Sequence, residues 1–225
     1  MISVLRKIVL LTAKDLRIEA RSRQTLGLVI VLGVLIIVVL GLGLGMQGNA
    51  AGYGATAVLW VAYVFGGVLC FEKTMAVERQ DGALAALLAA PVDRGIIFAG
   101  KLLSNLVLIF ALATVVTPAA IVLFDFDLSA APGSFAIVTG LSMLGFASVG
   151  TLFAAATSSS RLQGGLLAML VFPICLPVVI ASTRMLVGIF RDGKALGGDS
   201  LGVLIAFDVV YLVVSWLAFE RLLEP

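Results

Sequence analysis

Few residues in this 225-residue chain can do chemistry. There is no histidine, which removes the commonest metal ligand, the usual haem axial ligand and the usual general base. Cys70 and Cys175 sit in separate apolar runs without CxxC spacing, and they say nothing about redox compartment. Membrane metalloproteases need HExxH and membrane serine proteases a Ser–His pair, so both classes are excluded. An aspartyl site needs two facing acids, and only Asp208 lies deep in an apolar run. Gly43-Leu44-Gly45-Met46-Gln47-Gly48 spells GxGxxG. That fingerprint must follow a strand and open a helix in a soluble unit, whereas here it closes an apolar run. GxxxxGK[ST] does not occur, so no ATP is bound through a Walker motif. The chain reads as non-catalytic, with no cofactor of its own, and any energy must come from a partner.

The elements that position these residues are membrane spans. The chain is 61% hydrophobic and 12% charged, with a mean hydropathy of +1.19. Soluble chains carry about twice that share of charge. No charge occurs between Arg23 and Glu72, between Lys101 and Asp125, or between Asp127 and Arg161. One helical crossing takes about 20 apolar residues, so the first run holds two spans. Six are expected, over residues 26–46, 53–71, 102–124, 135–157, 164–187 and 201–219. The alternating segments of about ten residues that build a β-barrel are absent. The fold class is an all-α polytopic membrane protein, organised as one transmembrane domain over residues 1–225. No polar stretch has room for a fused nucleotide-binding domain, and a net charge of +2 implies no nucleic-acid surface.

Lysine and arginine orient the spans, because segments rich in them stay in the cytoplasm. With the N-terminus inside, twelve of the fifteen basic residues are cytoplasmic and only Arg184, Arg191 and Lys194 lie outside. Both termini are therefore expected in the cytoplasm. Residues 1–23 form a basic amphipathic helix on the inner membrane interface. Leu5, Ile8, Val9, Thr12 and Leu16 share one side, and Arg6, Lys7, Lys14, Arg17 and Arg21 the other. Leu10 and Asp15 break that pattern.

Between spans two and three, residues 72–101 form the longest polar segment after the N-terminus. Asp81 can cap a helix starting at Gly82, Ala83 to Ala90 are strong helix formers, and Pro91 ends it. Leu84, Leu87 and Leu88 make an apolar stripe that either lipid or the groove of a soluble partner can cover. Glu78, Arg79 and Asp81 would supply charged contacts to such a partner. Pro173 and Pro177, one turn apart in span five, kink the helix and free backbone carbonyls. Those carbonyls need partners in lipid, so this face is expected to point into the protein. The kink is either a hinge or pathway element or a static packing device. Asp208 is either a polar contact at an interface, with Arg184 and Tyr211 as its local partners, or an acid near the outer headgroups.

These residues resemble a known family. An acidic–basic stretch, Asp-Gly, a Leu-rich helix, a Pro turn and a Lys opening the third span look like ABC-2 (type V exporter-like) permeases. The closer similarity is to haem exporter protein B (CcmB). It rests on Gln80-Asp81-Gly82, on Arg161-Leu162-Gln163-Gly164-Gly165-Leu166-Leu167 and on Phe172-Pro173-Ile174-Cys175-Leu176-Pro177-Val178-Val179-Ile180. The double-proline stretch discriminates most, although Phe172 and Leu176 depart from the residues usual before each proline. The resemblance implies a permease subunit of the bacterial inner-membrane system for cytochrome c maturation. It implies a coupling helix that includes Gln80, Gly82, Leu84, Leu87 and Leu88 and docks on an ABC ATPase. It also implies two ATPase copies, a second copy of this chain, a haem-handling membrane neighbour, ATP bound by the partner and haem as a candidate substrate. Residues 184–200 would form short re-entrant helices at an outer gate. The alternatives are a permease for another amphiphile, such as lipid or polysaccharide, and a purely mechanical coupling subunit.

Overall fold

The computed structural model describes residues 2–45, 51–80, 92–124, 128–158, 163–190, 193 and 196–222. The described residues form seven α-helices: α1 (Ile2–Ser22), α2 (Gln24–Gly43), α3 (Ala51–Gln80), α4 (Arg94–Phe124), α5 (Pro132–Thr157), α6 (Gln163–Phe190) and α7 (Gly198–Leu222). A single 3₁₀ turn, Leu128–Ala130, precedes α5. All but α1 are long and apolar enough to cross a membrane. Pro132 opens α5, where its missing N–H costs nothing.

The junction between α1 and α2 is a single residue. Arg23 takes a left-handed φ of 52°, a conformation that costs a side-chain-bearing residue about 1–2 kcal/mol. Two bonds hold it there. The Arg23 N–H donates to the Glu19 carbonyl at 2.7 Å, and the Leu26 N–H donates to the buried Glu19 carboxylate at 2.8 Å. That carboxylate satisfies one of the orphan donors that open α2.

α3 and α5 are the most enclosed helices. α3 packs on α2, α4, α5 and α6, while α5 also meets α4, α6 and α7. Two phenylalanines interlock them. Phe146 of α5 occupies the space where Gly67 of α3 lacks a Cβ, and Phe71 of α3 occupies the matching space at Gly150 of α5. The rings stand 5.0 Å apart. A Cβ at either glycine would lie 2.3 Å or less from a ring carbon. α2, α6 and α7 are peripheral and leave broad apolar faces open.

α3 has 30 residues and α4 has 31. At 1.5 Å per residue each is about 45 Å long, against a hydrocarbon core of about 30 Å. Both helices therefore project beyond the apolar slab, and α1 packs along the projecting part of α4. Leu11 meets Gly100, and the Thr12 hydroxyl lies 3.2 Å from the Gly100 carbonyl. α1 thus has three faces. Ile8, Leu11, Thr12, Asp15 and Glu19 turn toward the bundle, Leu5 and Val9 are exposed, and Arg6, Lys7, Arg17 and Arg21 form a basic edge. Asp15, which breaks the two-sided pattern in the sequence, lies on the bundle side.

Candidate functional site

Residues 81–91 connect α3 to α4 and lie outside the described residues. Their two stems are described. Glu78 stands in the last turn of α3, and Lys101 two turns into α4. The Lys101 ammonium lies 2.6 Å from Glu78 Oε1 and 2.8 Å from Asp15 Oδ2. Lys14 closes the set, pairing with Glu78 Oε1 and, at 3.3 Å, with Asp15 Oδ1. The Ser104 hydroxyl stands 3.2 Å from Asp15 Oδ2. Two acids and two lysines balance one another, so the cluster is formally neutral. Asp15, Glu78 and Lys101 are buried, and Lys14 is half-buried. Burial alone pulls the Lys14 ammonium down, but the Glu78 hydrogen bond and the Asp15 charge outweigh it and hold its pKa above the ordinary lysine value. Removing one member of such a buried set typically costs about 3–5 kcal/mol, because the remaining charge is left uncompensated.

One turn further into the bundle the polar contacts continue. The Thr74 hydroxyl donates to Asn105 Oδ1 at 2.7 Å, and Asn105 Nδ2 donates to the Thr151 hydroxyl at 2.9 Å. Thr74 precedes Glu78 by four residues, and Asn105 follows Lys101 by four, so the two layers stack on the same helix faces. Together they join α1, α3, α4 and α5.

The residues expected to meet a partner fall as follows. Glu78 is turned inward onto the two lysines rather than outward. Arg79 and Gln80 complete α3, and their side chains are outside the described set. Asp81, Gly82, Leu84, Leu87 and Leu88 also lie outside it. Asp93 immediately precedes α4, and its backbone carbonyl accepts from the Ile96 N–H at 3.0 Å.

Pro173 and Pro177 correct the sequence expectation. They lie on the exposed side of α6 with Met169, Leu176 and Ile180. The opposite side, with Leu167, Val171, Cys175, Val178 and Ser182, fills the core. The proline rings share their stripe with exposed apolar residues, and the inward stripe is mainly Leu and Val with Cys175 and Ser182 among them. One carbonyl between the prolines still finds a donor inside the bundle, since the Tyr211 phenol donates to the Ile174 carbonyl at 2.7 Å.

Asp208 is buried in α7. Its carboxylate presses on Gly145 of α5, where a Cβ would come within 2.3 Å of Oδ1. Neither of its expected partners holds it, because the Tyr211 phenol is engaged by Ile174 and Arg184 is exposed on α6. Residues 184–190 are not a separate re-entrant helix but the last turns of α6. Among the described residues that follow, 193, 196 and 197 are not helical.

Sequence reasoning missed Asp15, Lys14 and Lys101 as a unit. The available signal was the interruption of the α1 pattern at Asp15, together with a lysine at the mouth of an apolar run.

A helical bundle with six helices long and apolar enough to cross a membrane, long paired stems and internally neutralised charges is that of a multi-pass membrane protein. The comparison with protein families narrows the class. Residues 6–224 match the CcmB protein family, and the chain belongs to it. This family is the membrane permease component of the haem-exporting ABC system for cytochrome c maturation, in which the ATPase and other maturation proteins are separate subunits. A search of curated proteins finds no match.

Proposed function

We propose that this chain works as the coupling permease of its complex, with residues 81–90 docking on the ATPase. Two copies pair with two ATPase subunits, because two ATPases close around two nucleotides and one chain supplies one coupling segment. Both termini and this segment lie on the cytoplasmic side of a bacterial inner membrane, as the twelve-to-three distribution of basic residues argues. α1 rests on membrane lipid. ATP is bound by the partner, and the chain itself is non-catalytic and binds no cofactor through its own motifs. The observation that carries this reading is the pair of long stems, α3 and α4, which project past the apolar slab and bracket the segment.

Haem is handled by a neighbouring membrane subunit, and this chain transmits force to it. Haem held by axial ligation needs His, Cys, Met or Tyr. The chain has no His, and Cys70 and Cys175 are buried. The Tyr63 hydroxyl bonds Thr117 and that of Tyr211 bonds Ile174, which leaves only Tyr53 and the methionines as donors of that kind. The deciding experiment reconstitutes the purified complex in vesicles and supplies ATP. Release of a haem-loaded chaperone, with no haem gained across the bilayer, is the expected result. ATP-driven haem accumulation by this chain and the ATPase alone would overturn it.

A further inference from the structure

The buried ionic cluster ties together three elements that sequence separates. Glu78 closes the helix that leads into residues 81–91, and Lys101 belongs to the helix that leads out of them. Each is also bound to α1, Glu78 through Lys14 and Lys101 through Asp15. Packing reinforces the tie where Leu11 fills the space at Gly100 and Thr12 meets the Gly100 carbonyl. The Thr74–Asn105–Thr151 chain extends it to α5. A lipid-facing helix needs no such attachment, since its exposed apolar residues and basic edge suffice to hold it at an interface.

We propose that Glu78 and Lys101 are positioning residues that clamp α1 to both stems of the 81–91 segment, so that α1 and the stems move as one body when the ATPase acts. Lys14 and Asp15 are the α1 side of the clamp. The inference rests on the reading that residues 81–90 meet the ATPase.

The test uses the assembled complex in native membranes at matched permease levels. Glu78→Gln with Lys101→Met removes one charge of each sign and leaves Lys14 and Asp15 to balance each other. Three quantities are read: co-purified ATPase, ATP hydrolysis and holocytochrome c yield. The double variant should keep its ATPase and hydrolyse ATP within twofold of the parent, while holocytochrome c per ATP falls at least fivefold. A second arm replaces the ionic tie by a covalent one. A Cβ at Gly100 would stand 2.9 Å from the Leu11 Cβ, and a disulfide needs about 3.8 Å. Leu11→Cys with Gly100→Cys, oxidised with diamide, therefore needs a shift of about an ångström. Locked this way, the otherwise unchanged chain should mature cytochrome c within twofold of its reduced form, and the neutralised variant should recover. Full yield from the neutralised pair, or loss of its ATPase, would overturn the proposal. So would a disulfide that stops maturation, because α1 would then have to leave α4 during the cycle. If the neutralised pair fails to insert, the disulfide arm decides alone. Leu87→Asp, assayed in parallel, separates the two ideas. Retention of the ATPase by that variant removes the docking reading, while the disulfide arm still reports on the clamp.

Discussion

The Tyr211 phenol donates to the backbone carbonyl of Ile174 at 2.7 Å, across the contact between α7 and α6. Ile174 lies between Pro173 and Pro177, where the helix is short of N–H donors. Tyr211→Phe keeps the ring and removes only that donor. A loss of about 0.5–1.5 kcal/mol is expected, read as a small drop in thermal unfolding temperature in detergent.

Gly145 and Asp208 form a second contact, between α5 and α7. Gly145→Ala places a methyl against the carboxylate, and overpacking of this kind costs about 1–3 kcal/mol. Asp208→Ala in the same chain should recover most of that loss, so the two changes are strongly non-additive. Asp208→Asn alone should leave stability unchanged or raised, because it removes a charge from the bundle. Protease resistance of the four purified variants checks this, and additive losses would contradict the contact.

Leu87→Asp tests the docking segment. An unpaired charge in a desolvated groove costs several kcal/mol, and each 1.4 kcal/mol is about tenfold in affinity. ATPase binding should fall about 100-fold or more. Gly82→Pro should be milder, because proline is tolerated in a first helical turn. Leu108→Asn changes a buried core residue of α4 and should lower the amount of folded permease without freeing the ATPase selectively.

The orientation has its own check. Reporter fusions after residues 49 and 130 should read periplasmic, and a fusion after residue 85 cytoplasmic. A periplasmic signal at residue 85 would invert the whole arrangement and remove the docking segment from the ATPase.

The six spans were legible because charge-free runs of bilayer length leave little freedom. The clamp was not, because pairing depends on distance in space. Lys101 and Glu78 are 23 residues apart, and Ser104 and Asp15 are 89 apart. Helical periodicity within residues 1–23 could sort apolar from basic faces, but it had no means of showing that a third face meets protein. The place of Glu78 beside Arg79 and Asp81 suggests contacts to a partner, whereas the lysines it pairs with come from two other helices. The proline face was misplaced for a related reason. The Tyr211 phenol that meets the Ile174 carbonyl lies 37 residues away in sequence and approaches from the inward side, while the proline rings themselves look outward.

The paired rings at Gly67 and Gly150 restrict the motions open to the bundle. Phe146 and Phe71 enter opposite helices at points four residues apart along both helices, so α3 and α5 run in the same direction and are keyed at two levels. Sliding either helix by a single 1.5 Å residue step would drive both rings against backbone. Relative sliding of α3 along α5 is therefore resisted at both levels, and the two helices are held in one axial register.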